Sequence, residues 1–75
     1  MIELYISETC PYCRKVIDFL EHCNLDFEKK DIALNGNLDK LISLGGFAQV
    51  PFLYDKDKNI KMYESDDIID YLKSE

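Results

Sequence analysis

The 75-residue sequence has no tryptophan, one histidine and few basic residues. Its nine Lys and Arg residues against fifteen Asp and Glu residues give a net charge of −6, so it has no overall positive field to attract phosphate groups. It also lacks any apolar run close to the roughly 18 residues that span a membrane. Its start, Met1-Ile2-Glu3, has neither the basic nor the apolar region of a secretion signal. These absences predict a cytoplasmic protein with no nucleic-acid or membrane partner.

The three cysteines are too few, and odd in number, for the disulfide framework of a small exported domain. Two of them, Cys10 and Cys13, lie three residues apart, a spacing that favours redox chemistry. Simple core packing of both thiols and a structural zinc are the alternatives. Zinc would need a second ligand pair, and the only other candidates are His22 and Cys23, which are adjacent to each other. On the periodicity of the first helix, Cys23 is predicted to be a core residue.

The first half of the chain has the pattern of a strand, a helix and a second strand. Alternating apolar residues over 2–6 predict a first strand. Helical spacing predicts a helix from Pro11 to about Asn24, whose buried face is Val16, Phe19, Leu20 and Cys23. The charged stretch 26–32 predicts a second strand at the edge of a sheet. Thirty residues with this order are typical of a βαβ unit with parallel strands.

The second half predicts a short helix, a hairpin and a last helix. The short helix follows Asn35, ends at Gly45-Gly46 and has an apolar stripe of Leu38, Leu41 and Ile42. Strands at 51–54 and 59–62 flank a polar turn, Asp55-Lys56-Asp57-Lys58. Ser65 is predicted to be the N-cap of the last helix, whose apolar residues are Ile68, Ile69 and Leu72.

The order βαβαββα predicts an α/β protein with the minimal thioredoxin-like fold. It consists of one domain, residues 1–75, with a four-stranded mixed sheet and three helices on its faces. The first and third strands are the most apolar, so they are expected at the centre, in the order 2-1-3-4. No large apolar surface is left over once the helices pack, which predicts a monomer.

The dithiol lies at the start of the first helix, where Pro11 fits the first turn. There the Cys10 sulfur would face unpaired backbone N–H groups and the positive end of the helix dipole, which favour a thiolate. Arg14 and Lys15, on the next turn, are expected to add to this effect. Cys13 lies one turn further in and is expected to be less exposed. The sequence thus predicts that Cys10 attacks a disulfide and that Cys13 resolves the resulting mixed disulfide.

The tetrapeptide Cys10-Pro11-Tyr12-Cys13 resembles the active site of dithiol glutaredoxins. Val50-Pro51 and Ser65-Asp66 lie where that family has its two other site elements, so the resemblance extends over essentially the whole chain. It implies an enzyme that reduces protein disulfides and glutathionylated proteins. Its co-substrate would be glutathione, without a tightly bound cofactor or metal.

The resemblance also implies a role for each glutathione-site residue. Pro51 would be a cis-proline facing the active site, and the Val50 backbone would pair with the peptide part of glutathione. Ser65 and Asp66 would bind its γ-glutamyl end, and helix capping is a second, compatible role for them. Tyr12 would line the groove.

The sequence departs from the glutaredoxin pattern at three places. Ser7 stands where a lysine is common, and no arginine precedes Val50, so Lys15 or Lys40 would have to bind the glycine carboxylate of glutathione. Tyr63-Glu64 replaces the double glycine before the last helix, and Glu64-Ser65 resembles the same turn in glutathione transferase N-terminal domains. Because the second domain of those transferases does not follow, the sequence favours a glutaredoxin.

Two further functions fit the sequence. Gly46-Phe47-Ala48-Gln49-Val50-Pro51 resembles the segment found in the glutaredoxin-like hydrogen donors of ribonucleotide reductase, which thioredoxin reductase reduces. A dimer that holds an iron–sulfur cluster through Cys10 and glutathione is the other alternative. Pro11 disfavours the cluster, because family members with proline there usually act as reductases.

Overall fold

The computed structural model describes residues 1–74; the last residue of the predicted domain, Glu75, lies outside the described residues. This part of the chain has four strands and three helices, in the order βαβαββα. They are β1 (Ile2–Ile6), α1 (Pro11–His22), β2 (Phe27–Asp31), α2 (Asn37–Gly45), β3 (Phe52–Asp55), β4 (Ile60–Met62) and α3 (Ser65–Lys73). None of these helices has the length and apolar content that crossing a membrane requires.

The four strands form one mixed sheet in the order β2-β1-β3-β4. Strand β1 runs parallel to β2 and antiparallel to β3, and β3 and β4 form the hairpin. The predicted minimal thioredoxin-like fold and its sheet order are confirmed. The apolar strands β1 and β3 lie at the centre, and the charged strand β2 lies at an edge, where charges discourage pairing with other chains.

The larger core lies between the sheet and the helices α1 and α3. Its fully buried members include Leu4 and Ile6 of β1, Leu53 of β3 and Ile68 of α3. The buried face of α1 is displaced from the predicted one by one helical turn toward the N-terminus. It consists of Cys13, Val16, Ile17 and Leu20.

The prediction that Cys23 belongs to the core is wrong, because the thiol is exposed. Helix α1 ends at His22, and Cys23 is its C-cap. Asn24 follows with a φ of 56°, in the left-handed region, which turns the chain away from the helix axis. Cys23 therefore leaves the buried stripe that its spacing from Val16 predicted.

A smaller core lies on the other face of the sheet, under α2. It is formed by Tyr5, Leu41 and Phe52, which are fully buried. Of the predicted stripe on α2, only Leu41 is buried, whereas Leu38 and Ile42 are 36% and 41% exposed. The helix has only nine residues, and Leu41 is its one buried residue.

Two buried acids are the main surprise of the fold. Glu3 is 1% exposed and Asp55 is 4% exposed. Glu3 lies between the alternating apolar residues of β1, where a solvent-facing side chain is expected, and Asp55 was predicted to lie in the hairpin turn. Asp55 is instead the last residue of β3. Its carboxylate accepts a hydrogen bond of 2.7 Å from the Tyr71 hydroxyl and so connects β3 to α3.

Candidate active site

Cys10 is the N-cap residue of α1, at the carboxyl end of the central strand β1. Its backbone is extended, with φ −93° and ψ 113°, and Pro11 is the first helical residue. The Cys10 Sγ accepts a hydrogen bond from the backbone N–H of Cys13, with a donor–acceptor distance of 3.3 Å. The sulfur thus lies at the end of α1 where backbone N–H groups lack partners within the helix.

Cys13 lies one turn further along α1 and is fully buried. Burial raises the pKa of its thiol, a hydrogen bond with the Ser7 backbone opposes the change, and the hydrogen bond and charge of Cys10 add to it. Together they bring the pKa to about 12. The two thiols thus differ as predicted in exposure, with a half-buried sulfur at Cys10 and a buried, protonated one at Cys13.

The two cationic side chains of α1 form ion pairs with acidic residues. Arg14 forms an ion pair of 3.4 Å with Asp18, and the Lys15 ammonium lies 2.7 Å from the Asp66 carboxylate of α3. The hydrogen bond and charge of Lys15 lower the pKa of Asp66. Each of the two cations that were expected to act on Cys10 is therefore paired with a carboxylate, which offsets its charge.

The Val50–Pro51 peptide bond is cis, the geometry that the glutaredoxin resemblance implied. Pro51 is buried and Val50 is half-buried. Both contribute to a groove with a volume of about 370 Å³ between the chain before β3 and the start of α3. Its walls are Tyr12, Gln49, Val50, Pro51, Tyr63, Glu64, Ser65 and Asp66.

The groove brings together the predicted residues from three distant parts of the sequence: Tyr12, the Val50–Pro51 pair and the Ser65–Asp66 pair. Ser65, however, was predicted to be the N-cap of α3 and is its first helical residue, because Glu64 is the N-cap. Glu64 makes no capping hydrogen bond with its side chain. The backbone N–H groups at the start of α3 therefore keep room for an anion.

Lys15 and Lys40, which were predicted to bind the glycine carboxylate of glutathione, both form ion pairs with acidic residues of the protein. Lys15 pairs with Asp66, and Lys40 of α2 lies 3.6 Å from Glu3. Lys40 contributes to a different depression of about 520 Å³ beside β2, not to the groove. Within residues 1–74, the groove has no lysine or arginine among its walls.

Three groove residues were not predicted: Gln49, Tyr63 and Glu64. Gln49 and Glu64 face each other, and the Gln49 amide donates to the Glu64 carboxylate at 3.3 Å. Gln49 and Glu64 are each adjacent to a predicted site residue, and Tyr63 precedes Glu64. The sequence signal was their place in the segment before Pro51 and in the turn before the last helix, but neither resemblance assigned them a role in the groove.

Tyr63 connects the groove to the end of α2. Its hydroxyl donates to the Phe47 carbonyl at 2.9 Å and accepts from the Phe47 N–H at 3.1 Å. The ring crosses directly over Gly45, the last residue of α2, and packs 4.7 Å from the Phe52 ring. A Cβ at Gly45 would overlap the Tyr63 hydroxyl and lie 2.9 Å from Cε1 of Phe52.

We therefore expect Gly45→Ala to lower the free energy of unfolding by about 1–3 kcal/mol, because overpacking displaces Tyr63 and Phe52. An ordinary helical site would show the opposite sign, since alanine is favoured over glycine there by about 1 kcal/mol. Urea denaturation measures the difference. Ser43→Ala, at an exposed position of the same helix, is the control. A stabilising Gly45→Ala would show that Tyr63 does not hold this position.

Comparison with solved structures supports the fold over nearly the whole chain. A mutant of the thioredoxin-like protein BC3987 superposes with a TM-score of 0.82 at 24% identity, over 99% of this chain and 96% of that one. Glutaredoxin 2 from Salmonella typhimurium, in complex with glutathione, has a TM-score of 0.80 at 28% identity. Human glutathione S-transferase T1-1 has a TM-score of 0.82 at 27% identity.

The last two proteins are much longer than this chain. The matches cover 96% and 99% of this chain but 32% and 31% of theirs, so it spans about a third of their length. No curated protein matches the chain. The model of the family "Glutathione S-transferase, N-terminal domain" matches residues 4–75. The chain thus belongs to the thioredoxin-like family of glutathione S-transferase N-terminal domains.

Proposed function

We propose that this protein is a thiol–disulfide oxidoreductase of the dithiol glutaredoxin type, a monomeric domain that acts in the cytoplasm. It reduces protein disulfides and glutathione mixed disulfides, with glutathione as the electron donor. The observation that carries the proposal is the pair of free thiols on α1, with the Cys10 sulfur at the helix start and Cys13 buried one turn behind it. A nucleophile of this kind needs a stabilised thiolate and a second thiol that stays protonated until it is required.

The reaction begins when the Cys10 thiolate attacks one sulfur of the substrate disulfide. A bond forms between Cys10 Sγ and that sulfur, and the other substrate sulfur leaves as a thiolate. Cys13 then loses its proton to the departing thiolate or to solvent and attacks Cys10 Sγ. This step releases the second substrate thiolate and leaves a Cys10–Cys13 disulfide, so two electrons pass from the protein to the substrate. Two glutathione molecules then return two electrons to the protein and are themselves oxidised to glutathione disulfide.

The loss of charge at Cys10 in the first step makes Cys13 easier to ionise for the second step. In the free enzyme, the charge of the Cys10 sulfur and its hydrogen bond contribute to the raised pKa of Cys13. In the mixed disulfide, Cys10 carries no charge, so both contributions disappear and the Cys13 thiol ionises more easily. The hydrogen bond from the Ser7 backbone, which favours the Cys13 anion, remains.

Glutathione would bind in the groove through the residues that the resemblance implied. The Val50 backbone pairs with its peptide part, and Tyr12 and Pro51 line the groove. The start of α3 at Ser65 receives its γ-glutamyl carboxylate, and Asp66 receives its ammonium group. The relative from Salmonella typhimurium that carries glutathione supports this choice of ligand. Because Asp66 pairs with Lys15, the ammonium group must share or replace that ion pair.

One observation favours thioredoxin reductase, in place of glutathione, as the source of electrons. Among the described residues, no cation lines the groove where the glycine carboxylate of glutathione would lie. A redoxin that thioredoxin reductase reduces directly would not need such a cation. The same dithiol chemistry at Cys10 and Cys13 would then serve as a hydrogen donor for ribonucleotide reductase.

The choice of donor is tested by offering the oxidised protein two reducing systems. One contains glutathione, glutathione reductase and NADPH, and the other contains thioredoxin reductase and NADPH alone. We expect NADPH consumption with a disulfide substrate in the first system and little in the second. Turnover with thioredoxin reductase alone would favour the second function, and turnover in neither would contradict both.

A further inference from the structure

The groove beside the dithiol carries an uncompensated negative charge at Glu64. The charged residues of its wall are Glu64 and Asp66. The Lys15 ammonium neutralises Asp66 at 2.7 Å, whereas Glu64 receives only the neutral amide of Gln49, at 3.3 Å. Within residues 1–74, no lysine or arginine lies at ion-pair distance from the Glu64 carboxylate. A cationic group entering the groove would find one acid that has a neutral hydrogen-bond donor but no cationic partner.

Two tyrosine rings, Tyr12 and Tyr63, share the groove with this acid, and Phe47 packs against Tyr63. Tyr12 and Phe47 are 64% and 67% exposed, which is unusual for rings of this size. Phe47 packs edge-on against Tyr63, with ring centroids 5.9 Å apart and an interplanar angle of 68°. Tyr12 and Tyr63 both line the groove. The face of an aromatic ring attracts ammonium and guanidinium groups, and its apolar surface accommodates the methylene stem of lysine or arginine.

We propose that this groove selects disulfides on basic polypeptides, by receiving a lysine or arginine side chain that lies within a few residues of the target cysteine. The inference rests on the proposed oxidoreductase function and names the substrate class. Tyr12, two residues after Cys10, and Glu64 line the same groove, so a target cysteine at Cys10 would bring its neighbouring side chains to this groove. The net charge of −6 adds attraction at longer range.

The test uses two peptides that differ only in charge. Each contains a single cysteine in a mixed disulfide with the small neutral thiol 2-mercaptoethanol, so that glutathione does not occupy the groove, and the cysteine is flanked on both sides by lysine in one peptide and by glutamate in the other. We expect kcat/KM to be about fivefold or more higher for the lysine peptide at low ionic strength. The ratio should fall toward one in about 0.5 M salt, where the Debye length is only a few ångströms.

Variants of Glu64 assign the preference to the groove. Glu64→Gln should reduce the ratio, and Glu64→Lys should favour the glutamate peptide. Glu64 is exposed and its side chain makes no capping hydrogen bond, so both variants should fold. The control is Glu21→Gln, at the opposite end of α1 from Cys10, which should leave the ratio unchanged.

Two outcomes would overturn the inference, and they are distinguishable. Equal kcat/KM values for the two peptides, with normal reduction of the uncharged bis(2-hydroxyethyl) disulfide, would remove the charge preference and leave the oxidoreductase function in place. Failure to reduce the uncharged disulfide would overturn the proposed function and the inference with it.

Discussion

Replacing Cys10 with serine is expected to abolish disulfide reduction, with a loss of at least about 1,000-fold, as is usual when a catalytic nucleophile is removed. A serine hydroxyl at the start of α1 has the same backbone neighbours but does not ionise near neutral pH, so it cannot attack a disulfide sulfur. The rate is measured as NADPH consumption coupled to glutathione reductase. Cys23→Ser is the matched control, because Cys23 is exposed at the opposite end of the same helix.

The companion variant Cys13→Ser separates the two thiols. It should retain attack by Cys10 and accumulate a mixed disulfide with a protein substrate, which mass spectrometry detects as a covalent adduct. Cys10→Ser should form no such adduct. If instead Cys13→Ser were inactive and Cys10→Ser formed the adduct, the roles of nucleophile and resolving thiol would be reversed. That result would contradict the role of resolving thiol that the burial of Cys13 and its raised pKa support.

The sheet order could be predicted because composition distinguishes central strands from edge strands. Strand β1 alternates apolar residues and β3 is mainly apolar, whereas β2 carries charges along its length. A strand at the centre has two neighbours and is covered on both faces, so charged residues are expensive there. Two parallel strands joined by a helix, followed by a hairpin, then leave few possible arrangements.

Positions that depend on where a helix ends could not be predicted. The spacing of Cys23 from Val16 fits the buried face of α1, but the helix stops one residue before Cys23. The N-cap of α3 moved by one residue, from Ser65 to Glu64, for the same reason. Helix ends depend on local hydrogen bonds that hydrophobic periodicity does not record.

The placement of the two thiols could be predicted from four consecutive residues, and five of the eight groove residues from the family resemblance, but the pairings between side chains could not. Cys10 and Cys13 are brought together by one turn of helix, which is local. The contact between Gln49 and Glu64 joins residues 15 apart, and that between Lys15 and Asp66 joins residues 51 apart. Such pairs form only when the folded chain brings distant residues together. The sequence therefore did not show that Lys15 is paired with Asp66.

The buried acid Glu3 is the clearest case of an interaction invisible in the sequence. One carboxylate oxygen accepts a hydrogen bond of 2.8 Å from the Tyr5 hydroxyl. The other lies 3.0 Å from the ammonium of Lys56 in the hairpin turn and 3.6 Å from that of Lys40 in α2. A single side chain thus joins β1, α2 and the hairpin. Burial raises the pKa of Glu3, but the close Lys56 ammonium, the hydrogen bond from Tyr5 and the charge of Lys40 outweigh it and lower the pKa.

We expect Glu3→Ala to lower the free energy of unfolding by about 3 kcal/mol, because the buried Tyr5 hydroxyl loses its acceptor and both lysines lose their counter-ion. Glu3→Gln keeps an acceptor for Tyr5 and should cost less, about 1–2 kcal/mol. The control is Glu28→Gln on the adjacent strand β2, in register with Glu3. Glu28 is half exposed and pairs with Lys30 at 3.4 Å, so its loss should change stability by less than about 1 kcal/mol.

The pH dependence of the same variants tests the charge itself. Because the pKa of Glu3 is lower in the folded protein than its ordinary value of 4.5, the carboxylate stabilises the fold fully above that pH. This contribution is lost as the pH falls below 4.5 and through the folded-state pKa. The difference in unfolding free energy between wild type and Glu3→Gln, measured by urea denaturation, should therefore be constant near neutral pH and shrink in acid. A difference that grew in acid would mean that Glu3 is protonated in the native state and that its lysine neighbours do not stabilise it.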